Sequence, residues 1–311
     1  MKKIRWAICG LGRIAGVFLD ACKNVEDTEI VAAASSDKSR AEEFANKHGI
    51  RYAYTYDELY KSKEVTAVYV STNMNMHCPN ILGLLASRIP VLCEKAFSLD
   101  EKEAKEMIML ARQNDTLLME AMWTRFLPAT QKITELVRSG KFGRIVRIDG
   151  TFKADMSDNP ECRVFKKELG GGSLLDLGVY LAAYSNMLLG VPDVVEAKGT
   201  VIDGVDYNCN MKLLYSNGAA ADLYSSINES YKAEIEITLE KGKITVPNFY
   251  KAAAFEANGT EYVFEDKYHG FMYQIKHFCE LLKAGKKESH IQTFEDTYEV
   301  MSVLSHARRQ L

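Results

Sequence analysis

The start of the chain constrains its fold more than any other stretch. Ile4 to Cys9 is an apolar run with strand character. It passes directly into Gly10-Leu11-Gly12-Arg13-Ile14-Ala15, and an apolar helical pattern follows as far as Cys22. Each small residue has a task in a strand-turn-helix unit. Gly10 permits the tight turn, Gly12 lets the backbone approach a pyrophosphate without a Cβ in the way, and Ala15 lets the helix lie close to the strand. The first helical N–H groups lack intrahelical partners and, with the helix dipole, favour an anion. A G-x-G-x-x-A string alone says little. With the strand before it and the helix after it, the turn predicts a dinucleotide site held by Gly10, Gly12, Arg13 and Ile14.

The alternation continues for about 120 residues. Glu29 to Ala34, Ala67 to Val70, Val91 to Cys93 and Leu117 to Ala121 are short apolar runs. Helical patterns over Ser39 to His48, Cys78 to Ala86 and Leu99 to Gln113 lie between them. Strands alternating with helices predict a doubly wound parallel sheet, with ligands outside the carboxyl ends of its strands. At the end of the second strand an acid for a ribose 2′-hydroxyl is missing. Ser35 and Ser36 stand there, with Lys38 and Arg40 close behind, a pattern that favours NADP over NAD. Asp37 weighs the other way, and Ser35 to Asp37 taken as a mere turn and helix cap leaves the coenzyme open. Thr72, Asn73 and His77 follow the next strand in a polar loop suited to the nicotinamide ribose, although His77 equally suits the start of a helix. Glu94 and Lys95 stand together at the tip of the strand after that.

From about Phe142 the period changes to two. Ala233, Ile235, Ile237 and Leu239 alternate with Glu234, Glu236, Thr238 and Glu240, which predicts a strand with one buried and one solvated face. Ser216-Asn217-Gly218 lies between two such runs, where Asn-Gly suits a two-residue hairpin turn. Gly270 to Ala284 and Thr293 to Arg309 read as closing helices. The expected class is therefore α/β followed by α+β, with a dinucleotide-binding domain over 1–121 and a second domain over 122–311, to which the family resemblance given below assigns substrate binding and dimerisation. Within the second domain, Gly170-Gly171-Gly172 precedes Ser173 and Asp176, whose spacing is that of a capping box. Asp176 and Tyr180 are also four apart on one helical face, and a carboxylate beside a phenol serves alcohol chemistry.

Composition narrows the function. A chain of 311 residues with 47% hydrophobic content can bury the cores of two ordinary domains. Its 39 basic and 42 acidic residues are intermixed, which argues against a nucleic-acid partner. Seven cysteines, an odd number without a C-x-x-C pair, argue against a disulfide framework or a zinc ribbon; no metal is expected, and the cytoplasm is the expected compartment. No stretch approaches a membrane span, and Arg5 and Arg13 interrupt the apolar start, which reads as strand and helix rather than as a leader.

With Glu94-Lys95 added to the amino-terminal turn, the chain resembles the glucose-fructose oxidoreductase, inositol dehydrogenase and rhizopine catabolism (Gfo/Idh/MocA) family over nearly its whole length. The runs from Met119 to Pro128 and from Gly170 to Tyr180 resemble the dimeric dihydrodiol dehydrogenase branch. The resemblance implies an N-terminal Rossmann domain and a C-terminal domain on a large open, mainly antiparallel sheet. It also implies a pocket at their junction, NADP or NAD as coenzyme, a secondary alcohol or sugar carbon as reactant, and a homodimer formed through the second sheet. Lys95, Asp176 and Tyr180 are then the expected catalytic residues. Tyr180 exchanges the proton, and Lys95 favours phenolate and stabilises charge on the reacting oxygen. Asp176 orients Lys95 or holds a second substrate hydroxyl. Trp123, Arg125 and Phe126 are expected to line the substrate side, with Arg163 and Phe165 closing over it. The family's Glu-Lys-Pro is Glu94-Lys95-Ala96 here. A nucleotide-binding sensor that has lost catalysis is the alternative reading.

Overall fold

The computed structural model describes residues 3–265 and 270–311. The chain divides into two units. The first is Met1–Ser98 with Lys102–Ala121 and Tyr268–Phe294, and the second is Leu99–Glu101 with Met122–Lys267 and Glu295–Leu311. Compactness thus gives Tyr268–Phe294 to the first unit, whereas the linear division placed that stretch with the second.

The first unit alternates β1 (Ile4–Cys9), α1 (Arg13–Cys22), β2 (Thr28–Ala34), α2 (Lys38–His48), β3 (Tyr52–Tyr54), α3 (Tyr56–Tyr60), β4 (Ala67–Val70), α4 (His77–Ala86), β5 (Val91–Cys93), α5 (Glu101–Gln113) and β6 (Leu118–Glu120). Among the described residues these strands form a six-stranded parallel sheet of order β3-β2-β1-β4-β5-β6. The order reverses between β1 and β4, so the connections leave in opposite directions there and a crevice opens at the carboxyl ends. β4 is buried at all four positions because helices cover both faces of such a sheet. α1 buries Ala15, Phe18, Leu19 and Cys22, the i, i+3, i+4, i+7 stripe of a helix lying on a sheet. α2 starts at Asp37, whose side chain accepts from Ser39 N, and ends at Gly49 in the left-handed region. The helix α8 (Phe271–Lys283) joins this unit through an aromatic contact, its Phe278 ring lying 5.0 Å from Trp6.

The second unit carries α6 (Pro128–Arg138), β7 (Ile145–Asp155), α7 (Val179–Leu189), β8 (Val194–Ile202), β9 (Val205–Leu214), β10 (Ala220–Ser226), β11 (Asn228–Leu239), β12 (Gly242–Pro247), β13 (Ala254–Ala257), β14 (Thr260–Val263) and α9 (Phe294–Arg308), the last beginning one residue inside the first unit. Its strands build, among the described residues, an eight-stranded sheet of order β14-β13-β12-β11-β7-β10-β9-β8. The pairing is antiparallel except between β7 and β10. β11 alternates as expected: Ala233, Ile235, Ile237 and Leu239 are buried, while Glu236 on the other face pairs with Lys243 at 2.8 Å.

The β9–β10 hairpin differs from expectation. Tyr215 O accepts from Gly218 N, and Tyr215 N donates to Ala219 O, so three residues form the loop. Gly218 alone is left-handed, at φ 84°, whereas the expected two-residue turn needs Asn217 left-handed too. Asn217 instead accepts from Ala219 N through its side chain, which fixes a type I turn followed by a glycine bulge.

No helix among the described residues is long and apolar enough to cross a membrane.

The carboxy-terminal helix ties down the segment Leu99–Glu101. Arg308 donates to Leu99 O at 2.9 Å, and Arg309 pairs with Glu101 at 2.9 Å. Burial alone would raise the Glu101 carboxyl. Hydrogen bonds from Ser305 and the Glu101 backbone, with the pairing to Arg309, outweigh it and hold the group at about 2. A depressed carboxylate contributes stability above its ordinary range, and that contribution disappears as the pH falls from about 4.5 through about 2. Glu101→Gln should therefore cost about 1–3 kcal/mol at neutral pH and less than about 0.5 kcal/mol near pH 2, read by urea denaturation at both pH values.

Candidate active site

The turn between β1 and α1 is fixed by backbone contacts. Gly10 has φ 94°, its N–H donates to Ala34 O at 3.0 Å, and its carbonyl accepts from Ser71 Oγ at 2.8 Å. A Cβ at Gly10 would lie 2.5 Å from Thr72 N. β1 and β4 therefore meet here at a distance only glycine allows. Gly12 is different: its φ is −81°, and a Cβ there would meet nothing within 4 Å. The protein itself does not require glycine at that position. The open space lies over the start of α1, which has no side-chain cap and no acid in its first turn. An uncapped helix end beside an open glycine fits a pyrophosphate, with Arg13 exposed and Ile14 half-buried alongside.

At the tip of β2, Ser35 is buried, and its Oγ accepts from Asp37 N. Asp37 caps α2 through Ser39 N at 2.9 Å and Ser39 Oγ at 2.8 Å, and those bonds hold its carboxyl below the usual range. The acid that weighed toward NAD is thus committed to a cap. Lys38, expected beside a 2′-phosphate, is engaged in an exposed ion pair. Its Nζ lies 2.5 Å from Glu58 Oε2 and 2.8 Å from Ala53 O. Ser36, which is hydrogen-bonded to Tyr56, and Arg40 are exposed at the same edge.

The loops after β4 and β5 are joined by a histidine. His77 is 2% exposed, with Nδ1 3.0 Å from Ala96 O and Nε2 3.1 Å from Thr72 O. One ring spans both loops, so His77 fixes the backbone on either side of the crevice rather than reaching out of it. Thr72 Oγ1 is buried and, among the described residues, bonded to nothing, although a buried unsatisfied hydroxyl costs roughly 1–3 kcal/mol. Asn73 sits beside it, exposed, at the start of a short 3₁₀ turn. Glu94 is buried and accepts from Tyr69 Oη at 2.6 Å, while Tyr69 stacks on Phe18 of α1 at 3.8 Å. Glu94 is therefore an anchor inside the sheet. Lys95, next in sequence, is half-buried at the strand tip, and its peptide bond to Ala96 is cis.

In the second unit, Trp123 and Tyr180 are hydrogen-bonded, the indole Nε1 donating to the phenol oxygen at 3.2 Å. Asp176 accepts from Arg163 Nη2 at 2.6 Å. The residue expected to close over the substrate is thus bonded to one expected to react. Asp176 lies in a π-helical turn, Leu174–Gly178, that runs into α7, where Tyr180 follows. Such turns are frequent at functional sites. Phe165 rests on Tyr207, with ring centroids 5.4 Å apart. Arg125, expected to face a substrate, does not: it is 3% exposed, with bonds of 2.8 Å to Asp296 and 2.8 Å to Asn186. A guanidinium so enclosed is an internal strut, because breaking a buried ion pair is costly. Phe126 is buried beside it in the same 3₁₀ turn. Tyr250 escaped the sequence reading. Its ring lies 6.1 Å from Trp123, 6.2 Å from Tyr180 and 4.7 Å from Phe152. Its stretch, Phe249–Lys251, is a short turn between strands with no periodicity to mark it.

A reversed parallel sheet, an open glycine at a bare helix end and a tryptophan-bonded phenol in a second unit define a two-unit, dinucleotide-binding type of protein. Comparison with known families agrees. Residues 4–122 match the oxidoreductase family with NAD-binding Rossmann fold, and residues 130–245 match the GFO/IDH/MocA C-terminal domain. The chain belongs to the Gfo/Idh/MocA oxidoreductase family. It is 32% identical to the trans-1,2-dihydrobenzene-1,2-diol dehydrogenase of Xenopus tropicalis, over 99% of this chain and 98% of that one. It is also 32% identical to the scyllo-inositol 2-dehydrogenase (NADP(+)) of Bacillus subtilis, over 99% and 97%. Among solved structures, levoglucosan dehydrogenase in complex with NADH and levoglucosan shares the fold at a TM-score of 0.91 and 16% identity, over 99% of this chain and 97% of that one.

The two glycines should separate folding from binding. Gly10→Ala forces a Cβ into the Thr72 backbone and should destabilise the first unit by more than about 2 kcal/mol. Gly12→Ala meets no protein atom and should melt within a few degrees of the parent, roughly, while losing about tenfold or more in NADPH affinity. Thermal melting and fluorescence titration with NADPH read the two effects.

Proposed function

We propose that the protein is an NADP(H)-dependent oxidoreductase. It moves a hydride between nicotinamide and the secondary alcohol or carbonyl carbon of a sugar, polyol or dihydrodiol. The observation that carries the reading is the open space over Gly12 at the bare start of α1, at the point where the strand order reverses. The relatives spanned over nearly their full length, a dihydrodiol dehydrogenase and an NADP-linked inositol dehydrogenase, support the class of reactant. Preference for NADP rests on Ser36 and Arg40 at the β2 tip, where Asp37 is turned into its helix.

The backbone N–H groups at the start of α1, with Arg13 and Ile14, would hold the pyrophosphate. Ser35, Ser36 and Arg40 would hold the adenosine side, and Thr72 and Asn73 the nicotinamide ribose. When bound, the nicotinamide supplies or accepts the hydride. Tyr180 Oη gives a proton to the substrate oxygen in reduction and takes it back in oxidation. The Trp123 N–H donated to that oxygen stabilises negative charge on it. The Lys95 ammonium stabilises negative charge developing on the reacting oxygen. Asp176, held by Arg163, presents its carboxylate to a second hydroxyl of the substrate.

A homodimer through the eight-stranded sheet and residence in the cytoplasm complete the reading. Seven free cysteines, all but Cys162 buried, fit a reducing compartment. A sensor without catalysis has in its favour Ala96 in place of the family's proline, but it gives no reason for Lys95, Asp176 and Tyr180 to stand together in one chain.

Reduction of NADP+ in the presence of scyllo-inositol, trans-1,2-dihydrobenzene-1,2-diol or levoglucosan, followed by nicotinamide absorbance, tests the activity. Turnover of at least one is expected; tight NADPH binding without turnover of any supports the sensor instead. Tyr180→Phe and Lys95→Ala should each lower kcat by about 100-fold or more, and near-normal turnover in both would remove the assignment. Arg40→Ala should raise the KM for NADP by about tenfold and leave that for NAD unchanged.

A further inference from the structure

Asp176 and Tyr180 are only as well aimed as the helical start that carries them, and that start has an unusual closure. Ser173, the expected cap, is itself helical at φ −66° and ψ −36°, and its side chain makes no capping bond. Its hydroxyl instead donates to Asp206 Oδ2 at 2.9 Å and lies 3.0 Å from Ser225 Oγ. Asp206 Oδ2 also accepts from Leu174 N at 2.7 Å. A carboxylate from β9, distant in sequence, thus takes the orphan N–H group that a local cap would take.

The glycine run fits the same carboxylate. At Gly172, with φ 121°, a Cβ would stand 2.0 Å from Asp206 Oδ1. Gly171 is equally confined, a Cβ there falling 2.5 Å from Val164 O, in the stretch that bears Arg163. Asp206 is 6% exposed, and burial pushes its carboxyl up against the hydrogen bonds from Leu174, Ser173 and its own backbone and the charge of Arg308, which favour the ionised form. A buried carboxylate is a costly way to close a helix that a serine could cap, unless its position fixes something else.

We propose that Asp206 is a positioning residue of the active site: through Leu174 N–H and Ser173 Oγ it fixes the π-helical turn, and with it the aim of Asp176 and Tyr180. This rests on the reading of Asp176 and Tyr180 as the reactive pair. Asp206 need touch neither substrate nor coenzyme, and it acts through two bonds to one turn.

The test compares Asp206→Ala, Asp206→Asn and Tyr180→Phe in the full chain, measuring kcat, substrate KM, NADPH affinity and melting temperature. Asp206→Ala should lose about tenfold or more in kcat, with NADPH affinity, which belongs to the first unit, within about twofold of the parent. Asn keeps an oxygen that accepts from Leu174 N–H, so Asp206→Asn should recover kcat to within about threefold. If Asp206→Ala does not fold, Asp206→Asn alone decides. A folded Asp206→Ala with kcat within about twofold of the parent, or a folded Asp206→Asn slowed tenfold or more, overturns the proposal. A Tyr180→Phe variant with normal turnover overturns the reading of the reactive pair instead, so the two failures are distinct.

Discussion

The approach of Gly10 to the Thr72 backbone is the constraint on which the first unit depends. With β1 and β4 side by side and their connections running opposite ways, the space between their tips must be closed by backbone or left for a ligand. Gly10 closes its lower part, at a distance that excludes a side chain. The bonds from Gly10 to Ala34 and from Ser71 to Gly10 then lock three strand ends together. What is left above is the open space over Gly12. His77 extends the same construction to β5 by spanning Thr72 and Ala96, so the backbone around Lys95 is referred to the same point as the helix end.

The second unit relies on buried charge rather than close backbone contact. Arg125 with Asp296 and Asn186, and Asp206 with Ser173 and Leu174, are polar groups taken out of water and held by several bonds each. Such clusters contribute little net stability, because desolvation offsets the attraction. Their effect is geometric, since a group with several fixed partners permits one arrangement. The two clusters flank the elements bearing Trp123 and Tyr180, whose mutual hydrogen bond needs both held in place.

β1, β4, β5, β6 and the second half of β2 were legible because they are buried at nearly every position and read as apolar runs. β3 and α3 were not, since three residues with two tyrosines and a five-residue helix carry too little pattern. The Asn217-Gly218 pair located a turn correctly but not its type, because the side chain of Asn217 decided between two backbone geometries. Arg125 looked like a ligand group because a cation among aromatics in an irregular stretch usually faces outward. Its partners Asp296 and Asn186 lie on other elements and leave no mark in the local sequence. The pairing of Lys38 and the part of Asp206 were not legible for the same reason: they come from Glu58 and from Leu174, which only folding brings near. Lys95, Asp176 and Tyr180 stood out through motifs, and the structure adds the partners Arg163 and Trp123.

The central claim is that the chain carries a hydride between a carbinol carbon and a nicotinamide ring. It is tested most directly by supplying the alcohol that the protein oxidises, deuterated at its carbinol carbons, with NADP+ and examining the reduced coenzyme by NMR. The account predicts deuterium at C4 of the nicotinamide, transferred directly and on one face. Reduced coenzyme carrying only solvent hydrogen at C4 would contradict it.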